Sequence, residues 1–269
     1  MKPNPRLKKY YLWVCNHAML FRYLVSIPLC TLYTILFLYA QSSIWIILAA
    51  NAFILFGSAL VPAGYRAKLL TLASNELHEQ CTPAPLLEET ERQLAKAKNE
   101  QVKQLLQIDR CVALLYMGEY QTVYDTLCGI NIDRFSGMLP AQKLIYYNNL
   151  ADICTKTDRF EQADAWHQKQ LQFYAMLKNK KQKDAFRYSM EEAKAQALYR
   201  KQEYAMAIQA FSSLPFKNSL QRVEASMFVA RCHLALNHKD GARSALCFVV
   251  ANANLVTLAE EAKALLEQL

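Results

Sequence analysis

The chain opens with two long apolar runs, residues 23–40 and 44–63, separated by three polar residues, Gln41-Ser42-Ser43. No charged side chain stands between residues 23 and 63. Each run is near the roughly 20 residues that cross a hydrocarbon core about 30 Å thick. A three-residue break cannot hold a domain, so the pattern predicts one transmembrane helical hairpin. Pro28 removes a backbone hydrogen bond inside the first run and predicts a kink there. Pro62 with Gly64 predicts that the second helix ends or bends. Asn51 lies near the middle of the second run, where an amide is expected to bond to a neighbouring helix. Thr31 and Thr34 on the first run are the nearest partners; self-association through Asn51 with Ala49, Ala50 and Ala52 is the alternative.

After residue 64 the pattern is helical nearly throughout. Glycine is scarce, alternating apolar and polar runs are absent, and Ala, Leu, Gln, Lys and Glu dominate. Breaks fall at 81–85, 99–100, 118–119, 129–139, 157–159, 179–183, 202–203, 214–219, 237–239 and 252–254. The stretches between them have ordinary helix lengths. Thr82 before Pro83 reads as an N-cap followed by proline at the first helical position, and Pro140 and the 215–218 segment serve similarly. Gly129 suits a helix C-terminus. The expected fold class is all-α. It divides into a basic and aromatic N-terminus (1–22), the hairpin (23–63), juxtamembrane helices (64–99) and a helical array (100–269).

Charge sets the expected orientation. Lys2, Arg6, Lys8, Lys9 and Arg22 precede the first run and Arg66 and Lys68 follow the second, while the connecting turn has no cation. A Lys/Arg excess marks cytoplasmic flanks, which predicts a two-span cell-membrane protein with both termini cytoplasmic. A cleaved signal peptide fits poorly, because the apolar stretch starts late, is long and leads into a second span. The net charge of +8 is uneven: all 23 acids lie after residue 63 with 26 of the 31 Lys/Arg, leaving +3 there and +5 in the first 22 residues. A basic cap beside a span is met by anionic lipid, so no nucleic-acid partner is expected. Tyr10, Tyr11, Trp13, His17 and Phe21 make the following segment either a helix lying in the headgroup layer or an extension of the first span.

The eight cysteines contain no C-x-x-C pair, and a cytosolic setting keeps thiols reduced. Most sit in apolar stretches, where free Cys behaves as a small hydrophobe. Phosphate-binding glycine motifs and H-E-x-x-H are missing. His78 with Cys81, and Cys232-His233 with His238, are the only metal-like clusters, and a structural zinc wants four ligands. Glu88, Glu89 and Glu91, like Glu191 and Glu192, read as solvated helix faces. No enzymatic activity, cofactor or metal is therefore expected. The run Lys178, Lys180, Lys181 and Lys183 reads as a solvated link, with contact to anionic lipid or an acidic partner as its functional alternative.

Four segments share one grammar: a helix with a small residue, a tight polar turn, then a helix with a small residue near its start. The clearest runs from Tyr147 through Leu150, Ala151 and Cys154 to Phe160, Ala163 and His167. The others carry Cys111, Gly118, Tyr120 and Val123; Ala195, Tyr204 and Ala207; and Ala230, Lys239 and Ala242. This resembles the tetratricopeptide repeat (TPR), a pair of antiparallel helices that small residues allow to approach closely. On that resemblance Cys111, Ala151, Ala195 and Ala230 mark the crossing in the first helix, and Val123, Ala163, Ala207 and Ala242 mark the second. The positions 111, 151, 195 and 230 are 40, 44 and 35 residues apart, against a family period of about 34, so the repeats are degenerate. The resemblance implies an α-solenoid of about four repeats, with residues 255–269 as a capping helix.

The resemblance also implies that the first helix of each pair lines a concave groove. Its members are Ile108, Val112, Leu115 and Tyr116; Asn148, Asp152 and Lys156; Glu192, Gln196, Tyr199 and Arg200; and Met227, Arg231 and Leu234. One end is apolar and the other mixed in charge, which suits an amphipathic peptide or helix from a partner protein; plain solvation of the face is the alternative. The chain looks like bacterial membrane-anchored TPR proteins. That implies a scaffold or adaptor whose tether concentrates a protein partner near the bilayer. The alternative is a subunit or assembly factor of a membrane complex acting through the hairpin.

Overall fold

The computed structural model describes residues 5–40, 43–135 and 137–269. Lys2, the Gln41-Ser42 part of the hairpin turn, Ser136 and the side chain of Arg6 lie outside that description. The protein is all-helical, with no strand among the described residues. It divides into two compact units, Met1–Ala73 and Ser74–Leu269.

The first unit holds α1 (Pro5–Asn16), α2 (Ala18–Tyr39) and most of α3 (Ile44–Gln80). Helices α2 and α3 are long and apolar enough to cross a membrane. The 22 residues of α2 extend about 33 Å at 1.5 Å per residue. The 37 residues of α3 extend about 55 Å, so its apolar half alone matches a hydrocarbon core. Large apolar side chains stand outward along both, among them Ile35, Trp45 and Phe53. Helix α2 continues through Pro28. Helix α3 does not end at Pro62 and Gly64 but runs on to Gln80. A proline inside a helix removes one backbone donor, and the strong helix formers that follow carry the helix onward. The aromatic N-terminal segment forms a separate helix ending before His17. The rings of Tyr10 and Tyr11 pack on Tyr65, with centroids 5.8 and 4.7 Å away.

Among the described residues the second unit contains the end of α3 and ten further α-helices: α4 (Ala84–Leu94), α5 (Glu100–Tyr116), α6 (Tyr120–Gly129), α7 (Pro140–Lys156), α8 (Phe160–Ala175), α9 (Lys180–Arg200), α10 (Tyr204–Ser212), α11 (Ser219–Ala235), α12 (Lys239–Asn252) and α13 (Leu258–Glu267). From α4 onward each helix packs on the next, and α5 also meets α7, α7 meets α9, and α11 meets α13. Side-chain caps start several of them: Asn99, Asn179 and Asn218 accept backbone N–H bonds at α5, α9 and α11. At α4 the structure departs from the expected cap. Pro83 takes the N-cap position, and the Thr82 hydroxyl donates to the Gln80 carbonyl instead.

One turn recurs four times. The links α5–α6, α7–α8, α9–α10 and α11–α12 place Gly118, Asp158, Gln202 and Asn237 in the left-handed region, at φ of 84°, 57°, 63° and 56°. In each, the next residue donates its N–H back to a carbonyl five positions earlier: Glu119 to Leu114 (3.0 Å), Arg159 to Cys154 (2.8 Å), Glu203 to Leu198 (3.0 Å) and His238 to His233 (2.8 Å). This is the Schellman closure of a helix end. The small residues flanking these turns (Cys111, Ala151, Ala195 and Ala230; Val123, Ala163, Ala207 and Ala242) are all buried. Larger side chains fill the space between hairpins. Phe211 of α10 stacks on Phe228 of α11 at 4.8 Å, within a cluster that includes Tyr188, Leu214 and Cys232.

The last segment of the chain returns to the first elements of this unit. Leu255 N–H donates to the Cys81 carbonyl (3.2 Å), and Asn254 Nδ2 donates to the Gln80 carbonyl (2.8 Å). Thr257 N–H donates to the Tyr116 carbonyl (2.9 Å), and Tyr120 Oη donates to Glu261 Oε1 (2.5 Å). Helix α13 therefore closes on the α5–α6 hairpin as well as covering α12.

Gly118 is where the recurring turn and this closure coincide. A Cβ there would stand 2.8 Å from Thr257 Oγ1, on a backbone with positive φ. Gly118→Ala is expected to lower stability by about 1–2 kcal/mol from conformation alone, and further through the contact with Thr257. Gln202→Gly, at a position of the same geometry without that contact, is expected to have the opposite sign. Thermal unfolding of the two full-length variants in detergent, side by side, checks both.

Candidate functional site

The inner faces of α5, α7, α9 and α11 bring charged groups into the interior of the second unit. Lys156 Nζ on α7 lies 2.8 Å from Asp152 Oδ2, one turn back, and 2.7 Å from Glu224 Oε1 on α11. Its side chain is 6% exposed. Gln196 of α9 donates to the other oxygen of Asp152 (3.3 Å), and Tyr188 Oη of the same helix donates to Glu192 Oε1 (3.1 Å). From α5, the Tyr116 phenol bonds to Glu224, and its ring lies beneath the Lys156 ammonium at 5.1 Å.

The electrostatics follow from this geometry. Burial alone would lower the pKa of Lys156, but the carboxylates of Asp152 and Glu224 outweigh it and hold the ammonium charged. Glu192 is moved the other way. Burial, and then the carboxylates of Glu224 and Asp152, push its pKa well above the ordinary carboxylate value, against the pull of Lys156 and Tyr188. Burial and the same carboxylates keep Tyr116 protonated. With Glu192 neutral, one ammonium faces two carboxylates, and phenol and amide donors complete their shells. Such a cluster is tolerated inside a protein only because its members satisfy one another.

Apart from Ile108, Val112 and Leu115 on α5, the residues expected to line one groove separate into three groups. Tyr116, Asp152, Lys156, Glu192 and Gln196 belong to the interior cluster just described. Asn148, Tyr199 and Arg200 serve packing between helices. Asn148 Oδ1 accepts from Gln170 of α8 (2.7 Å), and Arg200 reaches Asp164 of α8 (2.6 Å) and Thr155 of α7 (3.1 Å). Tyr199 packs edge-on against Phe160 and Phe228. Ile108 is buried and Val112 half-buried on α5.

The third group, Met227, Arg231 and Leu234, forms one wall of a cleft of about 390 Å³, with Glu261, Ala264 and Leu265 of α13 opposite. Arg231 Nη2 lies 2.8 Å from Glu261 Oε2 across it. This volume is at the small end of the roughly 300–1,000 Å³ range of binding pockets.

Glu224 and Tyr188 are central to the interior cluster and were not among the expected groove residues. Glu224 stands three and seven positions before Met227 and Arg231, and Tyr188 four positions before Glu192. Helical spacing alone carried that signal. Between α2 and α3, Asn51 Nδ2 donates to Thr34 Oγ1 (3.1 Å), while the Thr31 hydroxyl donates to the Ile27 carbonyl within its own helix. The buried thiols carry little reactivity, since burial pushes Cys81, Cys111 and Cys154 up to about 11 and Cys232 to about 12. No family model matches the chain, and no curated protein and no solved structure matches it.

Two substitutions test the interior cluster. Lys156→Ala leaves Asp152 and Glu224 buried without their cation and is expected to cost about 3–5 kcal/mol of stability. Lys263→Ala, which breaks the exposed pair with Glu260, should cost at most about 1 kcal/mol; denaturation of both variants checks the contrast. The raised pKa of Glu192 fixes a pH sign. Its contribution is fully present below the ordinary value of 4.5 and is lost as pH rises toward the folded value. Glu192→Gln removes this dependence. Its stability relative to the parent should be similar at pH 4 and gain up to about 1.4 kcal/mol for each pH unit above 4.5, as measured by melting across pH.

Proposed function

We propose that this protein is a non-catalytic, membrane-tethered scaffold. In this reading α2 and α3 cross the membrane as a hairpin with both termini cytoplasmic. The helices from α5 onward form a TPR-like array of four degenerate repeats closed by α13. The four identical helix-closing turns and the buried small residues beside them support the repeat reading. The Lys/Arg excess at the outer ends of the two apolar helices supports the orientation.

The observation that carries the binding role is the cleft between α11 and α13. Much of the rest of the inner face is occupied by its own hydrogen-bonded side chains, whereas Met227, Leu234, Ala264 and Leu265 present apolar walls around the Arg231–Glu261 pair. A cleft between two helices with apolar walls and a charged rim suits the apolar side of an amphipathic segment from a partner protein. Attachment to the membrane raises the effective concentration of that partner at the cytoplasmic face.

A photo-crosslinker placed at Leu234 or Ala264 in cells is expected to capture a recurrent protein, and one at Arg243 on the outer surface of α12 is expected to capture none. Leu234→Glu should abolish the captured band without changing the melting temperature. Replacing residues 1–73 by an unrelated two-span hairpin should preserve it. Scattered crosslinks from all three positions, or loss of capture on hairpin exchange, would sink the cleft as the working surface.

A further inference from the structure

The charged run at the start of α9 stands beside an exposed apolar surface contributed by another loop. Leu139, which precedes α7, and Met176, which follows α8, are 62% and 56% exposed. With Pro140, Leu177, Lys178 and Gln182 they line a shallow groove of about 250 Å³. Around this rim Lys178, Lys180 and Lys181 are exposed and Lys183 is half-buried. None of the four makes a salt bridge among those found in the described residues. Lys217 joins them from the α10–α11 loop, with its Nζ 3.3 Å from the Asp184 carbonyl. The neighbouring acids do little to balance this charge: Asp184 is a single carboxylate, and Asp133 is already engaged by Lys143 at 2.8 Å.

This arrangement leaves a local excess of positive charge exposed. The first turn of α9 contains no acid, although that end of a helix carries partial positive charge and favours anions. Lysines gathered there repel both one another and the helix end, and large apolar side chains beside them lose contact with water only if something covers them. An anionic bilayer surface meets both demands at once. Its phosphates pair with the ammonium groups, and its interfacial layer receives Leu139 and Met176.

We propose that this basic and apolar patch docks the second unit on the anionic cytoplasmic surface of the membrane that holds the hairpin. The proposal rests on the membrane-tethered reading above. The lysines supply attraction that salt screens, and the two apolar side chains supply a part that salt does not. Residues of the α6–α7 and α8–α9 loops are then held against lipid, while the α11–α13 cleft is served by different helices.

The test uses the full chain reconstituted into nanodiscs of phosphatidylcholine alone or with about one-third phosphatidylglycerol, an anionic lipid. Hydrogen exchange is followed over residues 176–187. Exchange there is expected to be several-fold slower in the anionic discs, with high salt removing most of the difference. The Lys178→Gln, Lys180→Gln, Lys181→Gln and Lys183→Gln variant is expected to remove it at any salt concentration. Leu139→Ser with Met176→Ser should reduce the part that survives salt. These side chains are exposed or half-exposed, and unchanged exchange in α11 and α12 verifies that the variants fold. Equal exchange in the two lipids overturns the proposal. So does equal slowing in neutral discs by inorganic phosphate or by an acidic peptide, which would assign the patch to a free anion or to a protein. A chain that elutes free of the neutral discs overturns the membrane tether instead, and the chromatogram reads that outcome separately from the exchange.

Discussion

The Lys156 ammonium, held between Asp152 on its own helix and Glu224 on α11, is the interaction that the second unit is arranged around. It joins residues 68 positions apart, across the helix pair α9–α10 that lies between them in the chain. Short loops and adjacent packing would hold neighbouring helices together without fixing how closely α7 and α11 approach. A buried ion pair between the second and fourth pairs does fix it, because separating the partners leaves uncompensated charge in the interior. Tyr116, Gln196 and Glu192 then follow as necessary company. Two carboxylates facing one ammonium need further donors, and a third carboxylate nearby has to keep its proton.

The closure by α13 belongs to the same constraint. Once α11 is drawn toward α7, the segment after α12 lies within reach of the start of the unit. There Leu255, Asn254 and Thr257 bond to the backbone around Cys81 and Tyr116. Glu261 completes the closure by accepting from Tyr120 while pairing with Arg231. A chain of helix pairs is ordinarily open at both ends, with each end needing an apolar face covered. Here one terminal helix covers α12 and also meets the first pair. The cleft between α11 and α13 is what that geometry leaves uncovered on the inner side.

Much of this was legible in the sequence, and what was not has a physical reason. The absence of charge over residues 23–63 marked both long apolar helices, because uninterrupted apolar runs of that length read as helices. The breaks at 118–119, 157–159, 202–203 and 237–239 marked the four recurring turns, three of them through Gly, Asp and Asn, residues that tolerate positive φ, and the other through Gln202. Of the two outcomes expected at Pro62 and Gly64, an end or a bend, the end does not occur, because these are local signals and the helix-forming residues after them carry the helix onward. The residues expected to line a groove lie on α5, α7, α9 and α11, but helical phase alone does not say whether an inward side chain meets solvent, a partner or another helix. Asn148 and Arg200 turned out to bond within the array, and Glu224 entered from a helix whose facing partner lies 68 positions away. A pairing of that range leaves no local pattern.

The two ends of the chain solve opposite problems with the same kind of residue. On the membrane-tethered reading proposed above, Asn51 finds Thr34 because hydrocarbon offers an amide no other partner. In the second unit, Asp152, Lys156 and Glu224 find one another because the interior offers them no water. Surface lysines face neither demand, and for that reason the unpaired group at the start of α9 is informative. Buried polar residues are explained by the partners they already have. Exposed like charges at an unfavourable helix end are left to solvent within the fold, and the docking proposed above would give them a partner. In that proposal the adjacent exposed side chains of Leu139 and Met176 suit a surface both anionic and apolar.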